Sequence, residues 1–154
     1  MPDMPEQTAN RFSLDSRLTQ DCFTLAALEL SELLLMDNAL LPWFILVPRV
    51  EVIELHDLSP HQQWILLEEI NLISHFTEQT YTTDKLNIGA IGNIVPQMHI
   101  HIVGRKTDDT CWPGVVWGTQ QRQAYNQTQL DEVAQLLKAF LPSDTQFHKP
   151  VMKS

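Results

Sequence analysis

Cysteine is nearly absent, with Cys22 and Cys111 alone in 154 residues and no Cys-x-x-Cys spacing. That argues against a disulfide framework, and the two read as small buried hydrophobes or free thiols. Basic residues are also scarce, ten against nineteen acidic, for a net charge of -9 and a pI near 4.9. Such a surface does not suit a long nucleic acid, because phosphate neutralisation by Lys and Arg supplies most of that affinity. A small nucleotide is not excluded, since backbone N–H groups and one or two local cations suffice to hold it. Long apolar runs are missing too. The richest, residues 40–48, is far too short to span a membrane, and the start Met-Pro-Asp-Met-Pro-Glu-Gln has no basic region or apolar core of a secretory signal. The expectation is a cytoplasmic protein without a membrane partner.

At 44% hydrophobic content the chain has material for one core and no room for two domains. Two prolines and several polar residues make 1–11 a mobile N-terminal arm, leaving a single domain at 12–142 and a tail at 143–154. Leu14, Leu18 and Cys22 fit one helical face. Residues 24–36 hold two leucine-rich runs that pair as strands, residues 37–42 a turn, and residues 44–50 a buried strand. Ser59-Pro60-His61-Gln62 is a capping box with proline at the first helical position. The long helix it opens runs to about residue 80, with Trp64, Leu67, Ile70 or Asn71, and Ser74 in phase. Residues 82–91 read as a strand that turns at Gly92-Asn93 into an antiparallel hairpin with the segment from Val95 onward. A C-terminal helix covers about 126–140 and ends at Pro142. The whole is α+β, an antiparallel β-sheet with one long central helix and a C-terminal helix.

The sharpest feature is Gln97-Met98-His99-Ile100-His101-Ile102-Val103-Gly104-Arg105. Its period of two places Gln97, His99 and His101 on one strand face and Met98, Ile100 and Ile102 on the other. The aliphatic face is core and the histidine face is open to chemistry. Imidazoles about 6.5–7 Å apart on one strand face can address an attacked atom and its leaving group. Taken alone, His-x-His also fits two hydrogen-bonded surface histidines, or half of a zinc site that would need further ligands.

These residues resemble the histidine triad (HIT) family, whose signature is His-φ-His-φ-His-φ-φ, often followed closely by Arg. With Arg105 as the anchor, His99 matches the family's nucleophile, His101 the third histidine, and Gln97 replaces the first. Asp37-Asn38 before Trp43-Phe44-Ile45-Leu46-Val47-Pro48-Arg49, and then Leu58-Ser59-Pro60, are similar to further family segments in the same order. Trp43 stands where many members carry an additional histidine. The resemblance implies a HIT-like fold and a homodimer joined at its sheets. It also implies attack by His99 at the α-phosphate of a purine nucleotide, through a nucleotidyl-histidine that water then hydrolyses.

On that resemblance His101 assists the leaving group, while Gln97 stays beside the phosphate as a hydrogen-bonding amide that cannot carry charge. Asp37, or Asn38 in its place, meets the ribose. Asn87 and Asn93 touch the substrate, Asn93 reading equally as a plain turn residue after Gly92. By residue type alone, Lys85 and Arg105 fit either phosphate binding or solvated surface charge. No cofactor and no metal are required. The leading substrate is a dinucleoside polyphosphate such as diadenosine tetraphosphate, with a nucleoside phosphoramidate beside it. The rival readings are a nucleotide-binding or regulatory module with weakened turnover, a nucleotidyl transferase, and a zinc-binding protein.

Overall fold

The computed structural model describes residues 11–153. Residues 1–10 of the expected arm therefore lie outside the described residues. In chain order the elements are helix α1 (Ser16–Asp21), strands β1 (Cys22–Ala27), β2 (Ser31–Met36) and β3 (Trp43–Pro48), a 3-10 turn (Leu55–Asp57), helix α2 (Pro60–Thr80), strands β4 (Lys85–Gly89) and β5 (Ile100–Arg105), helix α3 (Gln127–Phe140) and a short strand β6 (Gln146–Phe147). The strands form one six-stranded sheet in the order β4-β5-β3-β2-β1-β6, and every pairing is antiparallel. The α+β reading is borne out.

Both faces of this sheet are covered, which explains why β3 is buried at all six positions instead of alternating. Below it, Phe44, Leu46, Ile100 and Ile102 meet Ile73 and Phe76 of α2 and Leu130 of α3. Above it, Trp43, Ile45, Val47 and Val103 pack with Leu18 of α1 and Val116. The histidine face is thus not open along its length, as the alternation implied, but roofed by α1 and by the loop that carries Val116. The tail also does more than trail. β6 pairs with β1 through Ala26 and Ala27, and the His148 N–H donates to the Leu25 carbonyl at 2.8 Å.

Helix α2 starts as its capping box requires. The Ser59 Oγ accepts from the Gln62 N–H at 3.2 Å, and Gln62 Oε1 accepts from the Ser59 N–H at 3.0 Å. Its buried face differs from the expected one. Ile65, Leu66, Glu69, Ile73, Phe76 and Thr77 face inward, while Trp64 and Leu67 are 60% and 54% exposed. Apolar residues lie on two sides of this helix, so period alone could not choose the side, and the sheet did. Glu69 has a structural task that the sequence did not announce. Its Oε1 accepts the Leu30 and Ser31 N–H groups and holds the β1–β2 turn against the helix.

The expected hairpin is partly corrected. β4 and β5 pair from Lys85↔Arg105 to Gly89↔His101, but β5 begins only at Ile100, and residues 90–99 form a ten-residue irregular connection instead of a tight turn. Gly92 takes the left-handed backbone at φ 68°, and Pro96 has no N–H to give a ladder. Gln97 and His99 therefore stand on the approach to the strand and His101 within it.

Candidate active site

The two imidazoles sit edge to face with centroids 4.9 Å apart. Their surroundings fix opposite tautomers. Nδ1 of His99 lies 2.7 Å from the Gln97 carbonyl, which can only accept, so Nδ1 carries the proton and Nε2 keeps its lone pair. Nδ1 of His101 lies 3.0 Å from Nε1 of Trp43, which can only donate, so Nδ1 is unprotonated and the proton sits on Nε2. His101 is 5% exposed and flanked by the rings of Trp43 and Trp117 at 5.9 and 5.5 Å. Burial, with a smaller push from neighbouring His99, lowers its pKa from the usual 6.5 to about 3. At neutral pH it is an uncharged donor.

His99 lines a cleft of about 320 Å³ whose walls include Ile53, Leu55 and His56 on one side and Ile91, Gly92 and Gln97 on the other. This is within the size range of small-molecule sites. Among the cleft's imidazoles only that of His99 is held by a main-chain acceptor. His56, 81% exposed, stands on the cleft wall, where the 3-10 turn carries it.

The remaining sequence candidates divide sharply. Gln97 reaches the cleft, yet its amide is engaged: Oε1 accepts the Asp15 N–H at 2.8 Å and Nε2 donates to the Ser13 carbonyl at 2.9 Å. Asn93 is exposed on the 90–99 connection, next to the cleft residue Gly92. Asn87 turns its Oδ1 to the Arg105 guanidinium at 2.9 Å. Arg105 is buried to 1% exposure, held by Asp109 through contacts of 2.7 and 2.9 Å and lying 5.6 Å from the Trp112 ring, so its charge is committed inside the fold. Lys85 is exposed and donates to the Leu86 carbonyl.

Asp37 and Asn38 lie elsewhere, just past the end of β2. His101, Ile45 and Leu34 share one row, and Asp37 comes three residues beyond Leu34. It is therefore roughly 10 Å along the strands and two strands across. Its carboxylate accepts the Tyr125 N–H at 2.9 Å and faces Arg122 at 3.4 Å. Asn38, 4% exposed, spends its amide on the backbone of Leu40, Gln121 and Gln123. The pair thus orders the segment before α3. Cys22 is buried, which pushes its thiol up to about 12, and Cys111 is also unpaired. No group of three His, Cys, Asp or Glu side chains able to hold a metal occurs among the described residues.

A family model described as HIT domain matches residues 17–108, from α1 through the histidine strand. The chain belongs to the histidine triad family. A histidine triad protein from Bradyrhizobium japonicum is 40% identical and superposes with a TM-score of 0.81, over 84% of this chain and 97% of that one. One from Marinobacter aquaeolei is 39% identical at the same TM-score, covering 84% and 96%. A Hit-like protein from Bartonella henselae, described as involved in cell-cycle regulation, is only 12% identical with a TM-score of 0.55, and shows the shared fold alone. No curated protein matches. Membership in the triad family makes nucleotide hydrolysis or transfer the broad class of chemistry. No helix among the described residues is long and apolar enough to cross a membrane.

Proposed function

We propose that this histidine triad protein cleaves a bond at the α-phosphate of a purine nucleotide, with His99 as the attacking nucleophile. The observation that carries the reading is the hydrogen bond from His99 Nδ1 to the Gln97 carbonyl, which leaves Nε2 unprotonated on a residue that lines the cleft. Nε2 forms a bond to phosphorus as the bond to the leaving group breaks and its electron pair departs with that group. The imidazole then carries a positive charge, with the Nδ1 proton still held by the carbonyl. Water displaces it in a second step and releases one proton to solvent, which returns His99 to its starting state. A dinucleoside polyphosphate such as diadenosine tetraphosphate is the favoured substrate, a nucleoside phosphoramidate the second.

We also propose a homodimer contact at the β4 edge of the sheet, where Ile88 is 47% exposed and no strand among the described residues covers the ladder. Incubation with diadenosine tetraphosphate, with product separation beside His99→Ala, tests the activity. Release of AMP by the parent alone supports it, and equal release by both proteins removes the covalent mechanism. Gln97 favours one competing reading, binding without turnover, because its amide is spent on Ser13 and Asp15 instead of facing substrate. Retained AMP affinity with no product from either compound would select it.

A further inference from the structure

Trp43 stands beside the reacting pair but belongs to neither imidazole's expected chemistry. Its ring is 6% exposed, fixed on β3 opposite Val103, and its one polar atom is aimed at His101. Trp117 closes the other side of the same imidazole. An indole N–H cannot accept, so His101 cannot place a proton on Nδ1 without losing this bond and burying an unpaired donor. The Nε2–H that results has no protein acceptor among the described residues. His101 does not itself line the cleft but lies behind His99, ring centroids 4.9 Å apart, and this N–H is the one group it has to offer an oxygen bound beside His99.

Resting on the nucleotidyl-transfer reading above, we propose that Trp43 is a positioning residue that holds His101 as a fixed neutral donor, and that the site thereby selects leaving groups that depart without taking a proton. A phosphate or polyphosphate leaves as an anion and needs only a hydrogen bond. An amine leaves a phosphoramidate only if its nitrogen gains a proton. Neutral His101 could give one only by becoming an imidazolate, and burial between two indoles suppresses the imidazolium that would otherwise supply it. The ionisable groups facing the cleft are His99, already committed as nucleophile, and Glu54 and His56 on the opposite wall.

Long-range proton–nitrogen spectra of the full chain read the tautomer without substrate. The expected result is an unprotonated Nδ1 and a protonated Nε2 on His101, unchanged between about pH 8 and pH 5. In Trp43→Phe, which keeps an aromatic ring and removes the N–H, the two nitrogens should average. A protonated Nδ1 in the parent protein overturns the proposal, whether or not the variant folds. In turnover, the parent should prefer diadenosine tetraphosphate to adenosine phosphoramidate by about 100-fold in kcat/KM, the scale of one missing acid catalyst. Trp43→Phe should lower kcat on the tetraphosphate about tenfold with KM within about threefold, and Trp43→His, which restores a ring N–H, should recover part of it. Equal or better cleavage of the phosphoramidate by the parent overturns the selection. If neither compound is cleaved, the nucleotidyl-transfer reading falls, and the nitrogen spectra alone decide the role of Trp43: Nε2–H upholds it and Nδ1–H overturns it.

Discussion

The segment that carries the histidines is anchored differently at its two ends. At the far end of β5, Arg105 is buried and clamped by a two-pronged ion pair to Asp109, with Asn87 on its third side. At the near end, Gln97 is half-buried and tied by two neutral hydrogen bonds to the backbone at Ser13 and Asp15, while Arg17 adds a bond to the Ile94 carbonyl at 2.6 Å. A buried, fully paired charge tolerates almost no displacement, whereas neutral bonds near the surface open at small cost. His101 sits on the rigid side of this division and His99 on the adjustable one. The difference suits the roles proposed for them. A fixed donor benefits from a dry, immobile site, and a nucleophile must move toward phosphorus and back.

The comparison can be broken at several points. The largest effect belongs to His99→Ala, which should cut single-turnover cleavage of diadenosine tetraphosphate by at least about 10³-fold while AMP affinity, read by calorimetry, stays within about tenfold. Next is Asp109→Asn, which strands the Arg105 charge and should lower stability in urea by about 3 kcal/mol. A pH series sharpens the same point. The hydrogen bond from Arg105 holds the Asp109 carboxyl down at about 2, below its unfolded value near 3.9. Its contribution is therefore complete above about pH 4 and is lost as pH falls toward 2, a loss absent from Asp109→Asn.

Gln97→Ala removes both side-chain ties at the near end but keeps the carbonyl that orients His99. Stability should fall by about 1–2 kcal/mol and kcat by less than about tenfold; a loss comparable to that of His99→Ala would show that the amide itself meets substrate. Ser59→Ala, remote from both ends, should cost about 1 kcal/mol through the lost cap and leave kcat unchanged. An activity loss there would mean that helix α2 and the cleft are coupled.

Much of this was readable one residue at a time. The alternation through Met98, Ile100 and Ile102 correctly placed those three in the core beneath α2, because side-chain parity survives even where the strand does not extend. The capping box at Ser59 marked the start of α2, since its partners lie within four residues of each other, and the box that the structure shows at Asn126 was legible by the same rule but was not read. Arg105 was harder. A basic residue after a histidine motif looks like a phosphate ligand until Asp109 and Asn87 are seen to surround it. The same holds for Asn38, whose three partners lie more than eighty residues away or around a turn.

The amino-acid sequence by itself determined the family, the α+β class and the identity of the two imidazoles, because these depend on residue type, local capping and a period of two. The tertiary structure alone decided which nitrogen of each imidazole carries a proton. That choice is made by the Gln97 carbonyl for His99 and by the Trp43 indole for His101, one two residues away and the other fifty-eight. A tautomer is set by whether the facing group can donate or accept, and only the folded sheet brings Trp43 to His101.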